Sequence, residues 1–130
     1  MINSSMIALI FILLVLILIV LLITHQGKPR VNKSYFLKHW QVIEAQGGVG
    51  AVIKADTLLE EALKQVNIKG NTTGERLRNA SGYLKDTNGT WAAHKLRNKI
   101  VHEPDAQPSS ADCQRALGQF KKALKDLGAL

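Results

Sequence analysis

The chain has 130 residues, with 17 Lys and Arg against 10 Asp and Glu, and a single cysteine, Cys113. One cysteine excludes an intramolecular disulfide and a thiolate metal cluster, and it suits a reduced, cytoplasmic setting. No G-x-x-x-x-G-K-[ST], G-x-G-x-x-G or G-x-S-x-G motif and no zinc-type Cys/His spacing occurs, so no cofactor or metal is expected.

The mean hydropathy of +0.01 averages two unlike parts. After a short tail, residues 1–5, the stretch from Met6 to Ile23 reads MIALIFILLVLILIVLLI, with no charge, Gly or Pro. At about 1.5 Å per residue it reaches roughly 27 Å, close to the hydrocarbon thickness of a bilayer. In lipid only a helix satisfies such a backbone, so a single transmembrane helix is expected over 6–23. A cleaved signal peptide would carry a basic start and a small-residue cleavage site; MINSS and THQGKPR supply neither. Lys28, Arg30, Lys33 and Lys38 follow the segment and no Lys or Arg precedes it. The positive-inside rule then places the C-terminal part in the cytoplasm of a single-pass cell-membrane protein. All the charged residues lie beyond residue 27, so the net charge of +7 belongs to the remainder. That charge suits an anionic partner, either RNA or membrane lipid.

Residues 24–33 form a basic linker in which Gly27 and Pro29 break the helix. From there the pattern is helical to the C-terminus. A first helix is expected over 34–46, capped by Ser34 and ended by Gly47 and Gly48. A second is expected over 50–67, where Val52, Asp56, Leu59, Leu63 and Val66 follow three- and four-residue steps. Thr72 and Glu75 have capping-box spacing and open a third helix over 73–85. Asp86-Thr87-Asn88-Gly89 reads as a turn. A fourth helix is expected over 91–102, stopped by Pro104, and Ser109 with Asp112 opens the last, over 110–127. Short loops and the absence of strand periodicity give an all-α fold: an up-and-down bundle of four to five helices over 34–130 behind the N-terminal helix.

The segment richest in chemistry is His94-Lys95-Leu96-Arg97-Asn98-Lys99-Ile100-Val101-His102. Arg97 and His102 suit metal-independent RNA cleavage. A histidine can take the proton of a ribose 2′-hydroxyl or return one to the leaving 5′-oxygen, and an arginine supplies fixed charge for a developing phosphorane. Five helical residues turn through about 500°, leaving these two side chains roughly 140° apart. They converge only if the helix loosens before Pro104 or a second subunit completes the site. Asn98 and His94 share the stripe of His102. By residue type alone, a solvated basic helix end accounts for the same segment, with His102 favoured by the helix dipole.

Leu96-Arg97-Asn98-Lys99-Ile100-Val101-His102-Glu103 resembles the signature of the HEPN family (higher eukaryotes and prokaryotes nucleotide-binding domain), an Arg followed by a polar residue and then a His, on a late helix of an up-and-down bundle. The resemblance extends over roughly 35–128. It implies a metal-independent endoribonuclease with Arg97, Asn98 and His102 as catalytic residues, and a homodimer through the helix that carries them. An acidic residue from an earlier helix, Asp56, Glu60 or Glu61, would join the site. Lys95, Lys99, Arg76 and Arg78 would widen an RNA-binding surface. Family members that have lost activity imply the alternative, a non-catalytic RNA- or protein-binding module at the inner membrane face. A basic domain docking on acidic lipid is a third reading.

Overall fold

The computed structural model describes residues 1–24 and 30–130, and among these it is all helical, with six α-helices and no strand. They are α1 (Ser4–Thr24), α2 (Lys33–Gln46), α3 (Gly48–Gln65), α4 (Thr73–Asn79), α5 (Thr87–His102) and α6 (Ser110–Asp126). The helix breakers expected at Gly27 and Pro29 lie outside the described residues.

α1 buries none of its side chains and is long and apolar enough to cross a membrane. Its apolar residues face outward all round, as a lipid-facing helix requires and a core helix does not.

The other five helices share one core. α3 lies at its centre, packing on α2, α4, α5 and α6. Its buried side chains, among them Val52, Leu59 and Leu63, meet Phe36 and Trp40 from α2, Leu77 from α4 and Phe120 and Leu124 from α6. α2 and α3 run antiparallel: the Asn32 amide at the start of α2 donates to Gln65 Oε1 at the end of α3 at 3.3 Å, and the Tyr35 hydroxyl donates to Glu61 at 2.9 Å. A single residue, Gly47, separates the two helices, and Gly47 and Gly48 hold φ of 60° and 70°. A side chain at either would oppose that left-handed backbone, so glycine permits so short a reversal.

The helix ends differ from the sequence expectation where a polar side chain outcompetes the residue first assigned to the cap. α2 is capped by Asn32, whose Oδ1 accepts from the Tyr35 amide at 3.1 Å, and Ser34 lies inside the helix. The Asp86–Gly89 stretch is a helix start: Asp86 accepts from the Gly89 amide at 2.8 Å, and α5 begins at Thr87. α4 is shorter than expected and stops at Asn79, because Ser81 and Gly82 favour turns over continuation. Thr72 caps it, while the Glu75 carboxylate accepts from Asn71. At α6 both halves of the Ser109/Asp112 capping box are formed.

Candidate functional site

α5 turns a polar face toward α3. Its fully buried residues are Thr90, Ala93 and His94, whereas Ala92 and Val101 are exposed. Opposite lies Asp56, on the apolar stripe of α3 and only 2% exposed. An ionised carboxylate there must recover its lost hydration from neighbours.

It does so within a closed ring of four side chains. His94 Nδ1 lies 2.7 Å from Asp56 Oδ1, and Asn98 Nδ2 lies 3.2 Å from His94 Nε2. Arg97 Nη1 donates to Asn98 Oδ1 at 3.1 Å, and Arg97 Nε faces Asp56 Oδ2 at 3.4 Å. That last contact is an ion pair without a formed hydrogen bond, since the buried Nε has no bonding partner.

The donors and acceptors of the ring permit one arrangement. A guanidinium only donates, so the Asn98 oxygen must face Arg97. The Asn98 amide nitrogen then faces His94, and Nε2 must accept. The imidazole proton therefore sits on Nδ1 and is donated to Asp56. Both ring nitrogens of His94 are engaged, which makes it a positioning group for Asn98 and Arg97. Arg97 keeps 28% of its side chain exposed, so a buried carboxylate holds Nε while part of the side chain meets solvent.

The site residues expected from sequence fall into two groups. Arg97 and Asn98 belong to the ring. Lys95, Lys99 and His102 are exposed, and their spacing places them on one stripe of α5, about 60° wide. α5 remains helical through His102, and the Glu103 amide still donates to the Lys99 carbonyl at 2.9 Å. The helix does not loosen before Pro104, so within one subunit Arg97 and His102 point to different sides of α5. Arg76 is half-buried, with Nη1 3.3 Å from Glu60, and Arg78 is exposed.

Of the three acidic candidates, only Asp56 reaches this segment. Burial raises the Glu60 carboxyl, but hydrogen bonds from Lys64 and Thr73, with the charges of Lys64 and Arg76, hold it below the ordinary glutamate value. Glu61 faces α2 and holds the Tyr35 phenol above its usual range. His94 was not among the expected site residues. Its signal was available: it precedes Asn98 by one turn, and Asp56 interrupts an apolar stripe that demands a buried partner. No group of three or more His, Cys, Asp or Glu side chains suited to a metal ion occurs among the described residues.

Comparison of the chain with family models, with curated proteins and with solved structures found no match. Any functional reading therefore rests on the residues themselves.

Proposed function

We propose that this chain is a membrane-tethered, HEPN-like endoribonuclease that works as a homodimer and needs no metal. The observation that carries the reading is Arg97, braced by the buried Asp56–His94–Asn98 ring yet partly open to solvent, on the same helix end as the exposed His102. In the proposed reaction His102 takes the proton from a ribose 2′-hydroxyl. The resulting oxygen attacks the adjacent phosphorus and the P–O5′ bond breaks. The products are a 2′,3′-cyclic phosphate and a 5′-hydroxyl, the latter protonated by a second acid. Arg97 neutralises charge on the non-bridging oxygens as the phosphorane forms.

Because α5 stays helical, Arg97 and His102 of one copy do not share a face. A two-fold pairing of α5 helices brings Arg97 of one copy toward His102 of the other. Lys95 and Lys99 then lie beside the cleft as phosphate contacts. The apolar helix α1 holds the domain at a membrane, and the basic residues that follow it place the domain on the cytoplasmic side of the cell membrane.

The separation of Arg97 and His102 within one copy also favours a second reading, a non-catalytic module that binds RNA through the Lys95–Lys99–His102 stripe. One experiment decides between them: RNA cleavage by the detergent-solubilised chain in EDTA, beside His102→Ala and Arg97→Ala. Cleavage leaving cyclic-phosphate ends, reduced at least about a hundredfold in each variant, is expected. Binding without turnover by a folded, dimeric wild type selects the non-catalytic module.

A further inference from the structure

A groove of about 500 Å³ runs between α2 and α3, away from the ring. That is a volume typical of small-ligand sites, which are mostly apolar with a few placed polar groups. Val42, Ile53 and Leu58 supply apolar surface, and Lys38, His39 and Lys54 add polar and basic groups. Val42 is 59% exposed.

The polar groups are disposed to receive an anion. His39 Nδ1 lies 2.8 Å from the Tyr35 carbonyl, which only accepts, so Nδ1 carries a proton and Nε2 remains for another partner. Lys54 Nζ donates to the neutral Gln46 side chain at 2.7 Å. Among the described residues, neither Lys38 nor Lys54 lies within ion-pair distance of a carboxylate. Glu61, the acidic lining residue, accepts from the Tyr35 hydroxyl at Oε2, so the groove sets two ammonium groups against one carboxylate. An apolar surface beside two amines that no carboxylate pairs with matches an amphiphilic anion.

The covalent chain indicates where such a molecule comes from. Eight residues separate Thr24, the end of α1, from Lys33, the start of α2. Even fully extended they reach only about 30 Å. Lys38 and Val42 lie on the second and third turns of α2, so with α1 in a bilayer the groove cannot be far from lipid headgroups.

We propose that the groove binds an anionic phospholipid from the bilayer that holds α1. The phosphate lies against Lys38, His39 and Lys54, and the first acyl methylenes lie against Val42, Ile53 and Leu58. This rests on the membrane tethering proposed above, but it is independent of ribonuclease activity. The groove thereby adds a headgroup-specific contact to the apolar anchor.

The test uses the full chain in nanodiscs carrying a trace of diazirine-labelled phosphatidylglycerol or diazirine-labelled phosphatidylcholine, with crosslinks mapped by peptide mass spectrometry. Both probes should label α1. Peptides from α2 and α3 should be labelled by the phosphatidylglycerol probe about tenfold more than by the other, since each amine near an anionic headgroup favours binding severalfold. Lys38→Gln with Lys54→Gln, and separately Val42→Asp, should abolish that groove labelling. Lys95→Gln with Lys99→Gln, which lowers the net charge equally, should leave it intact. Labelling confined to α1, or equal for the two probes in the groove, overturns the proposal and leaves the groove to a second copy or another partner. Groove labelling unchanged by the groove substitutions overturns it as well. No labelling of α1 overturns the tethering and the lipid site together.

Discussion

Asp56 exchanges the hydration of an exposed carboxylate for two neighbours, the His94 N–H and the Arg97 guanidinium. Because three hydrogen bonds and one ion pair link the members of the ring, loss of one strands its neighbours. Asp56→Ala leaves a half-buried arginine without its counter-charge and a buried imidazole N–H without an acceptor. The expected cost is about 3 kcal/mol of stability, read as a lower urea midpoint by circular dichroism. Lys99→Ala, on the exposed stripe of the same helix, should stay within about 0.5 kcal/mol of wild type, and equal effects would contradict the ring's role. The sequence placed Asp56 on the stripe of its helix and among three acidic candidates. It did not reveal the partner, because sequence spacing carries no information on which residue of another helix lies opposite. Arg97 and Asn98 were legible by type and spacing, whereas the role of His94 depends on which atoms face which.

At the scale of the helix, local chemistry was most legible where a cap is reciprocal. Ser109 and Asp112 are three apart and form both bonds, 3.0 Å and 3.2 Å long. Ser109→Ala should cost about 1 kcal/mol and lower the melting temperature by several degrees, while Ser109→Asp should retain most of the wild-type stability. An unchanged melting temperature in Ser109→Ala would mean that α6 is held by packing alone. The start of α5 was illegible for a related reason. Asp86-Thr87-Asn88-Gly89 has the composition of a turn, and the same aspartate that favours turns also caps helices. Composition could not choose between the two; the helix follows because Thr90, Ala93 and His94 become buried.

Across the whole molecule, the division between α1 and the rest was the most legible feature, since uninterrupted apolar sequence needs no tertiary information to be recognised. The central position of α3 was not legible, because the helices present similar stripes and only their packing distinguishes them. The core residues run from Phe36 to Ala129 and none comes from α1. A fragment of residues 30–130 should therefore unfold cooperatively, with a stability within about 0.5 kcal/mol of the full chain in detergent. A non-cooperative or largely unfolded fragment would show that α1 contributes to the core.

The surface of α1 has a further consequence. Small residues of α1 are confined to its ends, Ser4, Ser5 and Ala8 at one and Thr24 at the other, so the long stretch between lacks the notches that let membrane helices approach closely. From Leu9 to Ile23 only Leu, Ile, Val and Phe occur, and they mark no side from another. On the proposed tethering such a segment serves as an address, and a different apolar helix of equal length should substitute for it. On that reading the choice of a neighbour belongs chiefly to the folded domain.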